Sequence, residues 1–191
     1  GVAYPNQLFP VEFAHEFSKQ DVPDPSNGLP SPNPTIKNMS DLSKKLGGAI
    51  LMGHSQGARI PSPAALVDIE SVKGLIIIEP SNCTRPQGTT YTDADYAKLA
   101  KIPILVMFGD NLAFSGIGTN WQTSFDDCQT FVSRVKSAGG NAQMLWPPNL
   151  GIRGNSHMIM QDKNNAQIAD LIIKWIDKNV KYKKDRFADK R

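Results

Sequence analysis

The sequence predicts an α/β fold, in which a mostly parallel sheet is covered by helices on both faces. Short apolar runs, such as residues 49–52, 75–78 and 104–108, alternate along the chain with segments of helical periodicity. A Gly-x-Ser-x-Gly motif at residues 53–57 stands directly between the first of these runs and a helical segment. Strands that alternate with helices of this length favour a parallel sheet, because each helix returns the chain to the end where the next strand starts.

The segments before the motif predict a helix at residues 10–19, a proline-rich loop at 21–35 and a second helix at 35–46. The loop contains five prolines, a composition that resists both helix and sheet. The second helix is expected to end at Gly47 and Gly48, since glycine is typical of the position just after a helix.

After the motif, the chain predicts helices from residue 55, at 93–99 and at 125–138, and a further strand at 142–146. A last helix is the clearest of these predictions, because its apolar residues recur at the spacing of one helical face. These residues are Ile168, Leu171, Ile172, Trp175 and Ile176. The pattern predicts a single domain that ends in a basic tail at residues 181–191.

The charge is concentrated in that tail. The whole chain of 191 residues carries a formal charge of +3, while residues 181–191 hold six basic and two acidic side chains. The rest therefore carries about −1 by subtraction, and it lacks the interleaved basic and aromatic residues of a nucleic-acid groove. The apolar runs are far shorter than the ~20 residues that span a bilayer. We expect neither a nucleic-acid partner nor a membrane span.

The Gly53-His54-Ser55-Gln56-Gly57 motif predicts a nucleophile elbow. In such an elbow, a sharp turn between a strand and a helix lifts the serine hydroxyl above the sheet, and the glycines relieve crowding. This arrangement is typical of the α/β-hydrolase fold. Ser55 is therefore the predicted nucleophile, and the backbone N–H of Gln56 is a predicted oxyanion-hole donor.

A serine nucleophile needs a base within hydrogen-bond reach. His54 belongs to the elbow itself, and His15 precedes it, whereas this fold runs serine, acid, histidine along the chain. His157 follows the last predicted strand and precedes the last helix. We therefore predict His157 as the general base.

Two carboxylates are candidates for the acid that orients His157. Asp110 follows the strand at residues 104–108, and Glu79 follows the strand at residues 75–78. Both strand ends lie where catalytic groups gather in open α/β sheets. Spacing alone slightly favours Asp110, the usual station of the acid in this fold, and either side chain could instead cap the following turn.

Several segments together resemble the Alcaligenes-type bacterial esterases, and the resemblance covers most of the chain. They are Gly53-His54-Ser55-Gln56, Ile78-Glu79-Pro80, Phe108-Gly109-Asp110 and Gly154-Asn155-Ser156-His157-Met158. In that family the acid is a glutamate after the sixth strand, which implies Glu79 here and leaves Asp110 as the alternative. The stretch at residues 111–122 is longer than its counterpart, which could alter the rim of the pocket and the substrate.

The two cysteines predict a disulfide. Cys83 lies shortly after Glu79, and Cys128 lies in the helix after the next strand, so the two could meet beside the active-site face. Composition alone does not distinguish a disulfide from two buried thiols. Asn38 and Asn82 begin glycosylation acceptor sequences. Together these features indicate a secreted or extracytoplasmic protein.

The segments before the elbow contain no convincing strand, although four strands precede the elbow strand in this fold. The second oxyanion donor comes from the loop after the third of them, so it has no candidate here. We therefore expect residues 1–191 to be the C-terminal catalytic portion of a cleaved precursor. Its N-terminal fragment would remain bound as a second chain, and the pair could in turn form a homo-oligomer.

These observations predict a serine hydrolase that cleaves carboxylic esters through an acyl-enzyme, with no metal and no cofactor. Two alternatives stay open, because the fold does not dictate the function and the triad does not identify the leaving group. One is a non-catalytic binding protein of the same fold. The other is a lipase, thioesterase or amidase that uses the same triad.

Overall fold

The computed structural model of the chain describes residues 34–86, 88–113, 115–116 and 119–181. The helix predicted at residues 10–19, nearly all of the proline-rich loop and the basic tail after Lys181 lie outside the described residues. Among the helices in this part of the chain, none combines the length and apolar character that a membrane span requires.

The described residues form six strands and five α-helices, which follow the predicted alternation. The strands are β1 (Ala49–His54), β2 (Val72–Ile78), β3 (Ile104–Met107), β4 (Ser115–Gly116), β5 (Thr119–Asn120) and β6 (Ala142–Leu145). The helices are α1 (Pro34–Lys45), α2 (Pro61–Val67), α3 (Asp93–Leu99), α4 (Trp121–Ser137) and α5 (Asn165–Asn179). The short antiparallel pair of β4 and β5 was not predicted.

Two helix starts differ from the prediction. The helix expected from Ser55 is a 3₁₀ turn, Ser55–Arg59, followed by α2, which begins at Pro61. Proline has a fixed φ and lacks an N–H, so it suits the first position of a new helix better than the interior of a continuing one. Helix α4 begins at Trp121, because the Asn120 side chain accepts a hydrogen bond from the Thr123 N–H at 3.2 Å.

The central sheet is parallel, and its strands stand in the order β1-β2-β3-β6. The last residues of the four strands are in register: His54 pairs with Ile78, Ile78 with Met107, and Met107 with Leu145. The loops that follow β1, β2 and β3 therefore leave the sheet side by side along one edge. This register brings together residues that are far apart in sequence.

Both faces of the sheet are covered. Successive strand residues point to opposite faces, so β2 and β3 each contribute side chains to two cores. On one face Leu75, Ile77, Ile104 and Val106 pack with the helices α2, α3 and α4. On the other face Ile76, Ile78, Leu105 and Met107 pack with α5. The predicted fold class is confirmed.

The loop after β2 is fastened to α4. Cys83 and Cys128 form the predicted disulfide, and the neighbouring Asp127 carboxylate accepts a hydrogen bond from the Cys83 N–H at 2.6 Å. One turn earlier in α4, the Ser124 hydroxyl donates to the carbonyl of Ser81 at 2.8 Å. Since this loop begins at the carboxyl end of β2, these contacts fix α4 relative to that strand end.

Removing the disulfide with the double variant Cys83→Ala/Cys128→Ala should lower the free energy of unfolding by about 4 kcal/mol, the chain-entropy value for a separation of 45 residues. Urea unfolding of the oxidised wild type and the variant measures this difference. Reduced wild-type protein is the matched control and should unfold near the variant. An equal urea midpoint for oxidised wild type and variant would contradict the prediction.

Candidate active site

Ser55 stands at the turn between β1 and the 3₁₀ turn, with a positive φ of 57°. Non-glycine residues rarely adopt this conformation, and it commonly marks a functional turn. The backbone can turn so sharply because a Cβ on Gly53 would lie 2.4 Å from the carbonyl oxygen of Gly57 and 2.9 Å from the Cα of Ala58. Gly57 itself has open space where its Cβ would be. Only the first glycine of the motif therefore relieves crowding, which corrects the expectation for the pair.

Substitution of each glycine should separate these two positions. Gly53→Ala should destabilise the protein by roughly 1–3 kcal/mol and displace Ser55, because backbone atoms cannot give way as a flexible side chain could. Gly57→Ala should change stability by less than about 0.5 kcal/mol and retain activity. Thermal unfolding and ester hydrolysis of both variants measure this difference. Equal effects at the two positions would show that the crowding argument is wrong.

His157 bonds to a group on each side of its ring. Its Nε2 lies 2.8 Å from the Ser55 Oγ, and its Nδ1 lies 3.0 Å from the Glu79 Oε2. An ionised carboxylate only accepts hydrogen bonds, so Nδ1 carries the proton and Nε2 is free to accept from the serine hydroxyl. The three side chains form one hydrogen-bonded line along the carboxyl edge of the sheet.

The Glu79 carboxylate is held at both oxygens. Its Oε1 accepts a hydrogen bond from the Gly109 N–H, while Oε2 faces His157. The residue is 4% exposed and has a positive φ of 49°. A Cβ on Gly109 would lie within 3.1 Å of Oε1 and closer still to the carbonyl oxygens of Asn155 and Ser156. The site therefore has room for the carboxylate only because residue 109 is glycine.

Asp110, the alternative acid, is placed elsewhere. Its Oδ2 accepts a hydrogen bond from the Gly154 N–H at 2.8 Å, and its Oδ1 lies 3.7 Å from the Arg153 guanidinium. Its own N–H donates to the Asn155 carbonyl at 2.9 Å. Asp110 thus holds the loop that carries His157, and Glu79 is the acid hydrogen-bonded to the histidine.

A second carboxylate holds the other end of this loop. The buried Asp162 accepts hydrogen bonds from the Ser156 N–H at 2.8 Å, the Ser156 hydroxyl at 2.7 Å and the Asn155 side-chain amide at 2.9 Å. Asn155 and Asn164 also exchange hydrogen bonds between their side chains. A fully bonded buried network is rigid, so it fixes the position of the adjacent His157. The sequence analysis gave Asp162 no role.

His54 also contacts His157. Its Nε2–H donates to the His157 carbonyl at 2.7 Å, and the two ring centroids are 4.8 Å apart. Burial lowers the pKa of His54 from 6.5 to about 4, so this ring is neutral near neutral pH. The elbow therefore contacts His157 through His54 as well as through Ser55. The sequence analysis had set His54 aside as a base because it belongs to the elbow itself.

The site also contains an aromatic side chain that the sequence analysis did not identify. The Trp121 indole lies against the His157 imidazole, with the ring centroids 4.4 Å apart and the ring planes inclined by 32°. Trp121 belongs to the stretch at residues 111–122, whose unusual length was the only sequence signal that pointed to this region.

This fold is similar to that of a bacterial esterase of known structure. The two chains are 38% identical and superpose with a TM-score of 0.74, over 93% of this chain and 52% of the esterase. This similarity confirms the resemblance to bacterial esterases that the sequence predicted. A fungal esterase from Rhizomucor miehei matches 80% of this chain and 61% of its own, with a TM-score of 0.56 and 11% identity, which shows the fold alone.

Among curated proteins, a probable secreted lipase from a fungal species, phiG, is 23% identical over 74% of this chain and 49% of its own length. No protein-family model matches the chain. The chain spans about half the length of the lipase and of the bacterial esterase. The described residues therefore form part of an α/β-hydrolase fold.

Proposed function

We propose that the chain is the catalytic portion of a serine hydrolase that cleaves carboxylic esters through an acyl-enzyme. The observation that carries this proposal is the hydrogen-bonded line of Ser55, His157 and Glu79 at the carboxyl edge of the sheet. The similarity to a bacterial esterase and to a probable secreted lipase supports the same chemistry.

Each side chain of the line has one role in the proposed reaction. The Ser55 oxygen attacks the ester carbonyl while His157 Nε2 takes its proton, and His157 then gives that proton to the leaving alcohol. In the second half of the reaction, water attacks the acyl-enzyme while His157 Nε2 takes a proton from it. His157 then returns that proton to the Ser55 oxygen, and the carboxylic acid is released. Glu79 keeps the proton of His157 on Nδ1 and stabilises the imidazolium that forms at each step.

The tetrahedral intermediate carries a negative oxygen, which needs hydrogen-bond donors. We assign one of them to the backbone N–H of Gln56, which stands in the first turn of the 3₁₀ segment directly after Ser55. The N–H groups in the first turn of a helix have no acceptor within that helix. The Gln56 donor is therefore available to a substrate oxygen.

A fluorophosphonate probe and a panel of esters test the proposed function. The probe should label the chain at Ser55, as identified by peptide mass analysis, and p-nitrophenyl esters of some acyl length should be hydrolysed. Graded acyl lengths separate an esterase from a lipase, and matched thioesters and amides test the remaining leaving groups. A protein that neither reacts with the probe nor turns over any of these substrates would be a binding protein, contrary to the proposal.

We also propose that the protein is secreted. The disulfide and the similarity to a probable secreted lipase support this localisation. The two predicted glycosylation sites differ: Asn38 is exposed on α1, whereas the side-chain oxygen of Asn82 is enclosed without a hydrogen-bond partner. Between the two, Asn38 is the better candidate for a glycan.

The outer edge of β1 supports the proposed second chain. In the described part of the chain, β1 pairs with β2 alone, and Met52 is 57% exposed on this strand. Unpaired, apolar strand edges promote aggregation unless they are covered. We propose that a strand of an N-terminal fragment pairs here and brings the second oxyanion donor. Denaturing mass analysis of the active protein should reveal that polypeptide, and full activity from this chain alone would overturn the proposal.

A further inference from the structure

We propose that Trp121 is a positioning residue of the active site, whose indole face holds the His157 ring and stabilises its positive charge during the reaction. The inference rests on the proposed function, because it needs His157 to act as the base. Its starting point is the ring contact, with a centroid distance of 4.4 Å and an inclination of 32° between the planes. At this distance and inclination the two rings are close to stacked.

The anchoring of α4 fixes where the indole lies. Residues three, four and seven apart share one face of a helix, so Trp121, Ser124 and Cys128 lie on the same face of α4. Ser124 donates to the Ser81 carbonyl, and Cys128 is bonded to Cys83. The helix face that carries the indole is thus fastened at two points to the loop after β2, the strand whose end bears the acid.

The fastening of α4 to the loop after β2 fixes Glu79 and Trp121 relative to each other. Glu79 stands at the carboxyl end of β2 and accepts from His157 Nδ1, while Trp121 lies against the imidazole ring. The acid sets the direction of the Nδ1–H bond. A ring held at one edge can still rotate about that bond, and contact with a neighbouring aromatic ring restricts this rotation. The Nε2 atom therefore stays aimed at Ser55.

The indole also acts on the charge of the ring. When the serine proton moves to His157, the imidazole becomes a cation, and the face of a tryptophan attracts a cation within about 6 Å of its centre. This attraction is stronger for the imidazolium than for the neutral ring. It therefore favours the transition state over the resting enzyme, which raises kcat without requiring tighter substrate binding.

The second ring beside His157 cannot supply the same effect. The His54 ring contacts the imidazole at 4.8 Å, but its Nε2–H is used on the His157 carbonyl and the ring is neutral. His54 thus fixes the main chain of the base. Of the two ring neighbours, Trp121 is the one with the larger and more negative face.

The experiment compares Trp121→Phe, which retains an aromatic face, with Trp121→Leu, which retains apolar bulk without one. Trp121→Leu should lower kcat by roughly 3- to 30-fold, the range expected for one cation–π contact, while KM changes by less than about twofold. Trp121→Phe should recover most of the loss. The rate of Ser55 labelling by a fluorophosphonate should fall in parallel with kcat, because that step also charges His157.

Trp175→Phe is the matched control, since Trp175 packs from α5 against the other face of the sheet. Within the described residues its indole N–H has no hydrogen-bond partner that the substitution would remove. It should leave kcat unchanged. A rise of KM at constant kcat in Trp121→Leu would make the indole a wall of the substrate pocket and overturn the proposal. Equal losses in the Leu and Phe variants would overturn it too, because the aromatic face would not matter.

A failure of the Trp121 inference can be told apart from a failure of the proposed function. If the wild-type protein hydrolyses no ester and resists the probe, the function itself is wrong. If the wild type is active and Ser55→Ala is not, the kcat of the Trp121 variants tests only the present inference. Trp121→Tyr serves as a second aromatic variant if Trp121→Phe unfolds at a lower temperature than the wild type.

Discussion

Replacing Ser55 with alanine is expected to lower kcat for ester hydrolysis by on the order of 10⁴-fold or more, because alanine has no hydroxyl to form the proposed acyl-enzyme. The Ser55 hydroxyl is bonded to His157 Nε2, and alanine removes only that oxygen. The sharp turn is preserved, since it depends on the close approach at Gly53. Initial rates on a p-nitrophenyl ester and a thermal unfolding curve measure both parts of the prediction.

Ser133→Ala is the matched control for this variant. Ser133 is exposed on α4 and lies about three helical turns along this helix from Trp121, so its hydroxyl should be dispensable. The control should retain wild-type turnover and labelling by a fluorophosphonate. Substantial hydrolysis by Ser55→Ala would show that another nucleophile, or no covalent step at all, is responsible for the activity.

Glu79→Gln is expected to lower kcat by roughly 10³- to 10⁴-fold, close to the effect of amidating the acid in a comparable triad. Glutamine has the same shape, so its oxygen can still accept from the Gly109 N–H. Its amide group would then face His157, where it favours the wrong tautomer and cannot balance the charge of the imidazolium. The kcat of the variant, measured beside its unfolding temperature, gives the effect on catalysis apart from stability.

Asp110→Asn is the matched change at the alternative acid. The asparagine oxygen can still accept from the Gly154 N–H, and the weak contact with the exposed Arg153 contributes little. We expect a loss of kcat below about 10-fold. A larger loss at Asp110 than at Glu79 would reverse the assignment of the acid and return it to the position that spacing alone favours.

The choice between these two carboxylates shows where sequence spacing stops being informative. Glu79 and Asp110 both follow strands, and the pattern places both at the same edge of the sheet. What separates them is direction: Glu79 turns toward His157 at a positive φ, while Asp110 turns toward the main chain of the histidine loop. A positive φ at a glutamate has no signature in residue type, since it is imposed by surrounding contacts.

Local interactions made other parts of the chain predictable. The strands were readable from short apolar runs, because β2 and β3 are buried on both faces and contain almost nothing polar. The elbow was readable because a Cβ at Gly53 would collide with the turn itself. The start of α4 could not be predicted, since it depends on the Asn120 cap. It also lies next to the strands β4 and β5, which are too short to show a sequence pattern.

The sequence by itself predicted the layers of the fold, the disulfide and the residues that we propose as nucleophile and base, since each follows from periodicity, from a motif of adjacent residues or from the order of elements. Only the tertiary structure decided that Glu79 is hydrogen-bonded to His157, that Asp110 and Asp162 hold the histidine loop, and that His54 and Trp121 contact the histidine ring. These contacts join residues from different strands and loops. Their geometry depends on strand register and helix placement, which arise from the packing of the whole domain and not from any one segment.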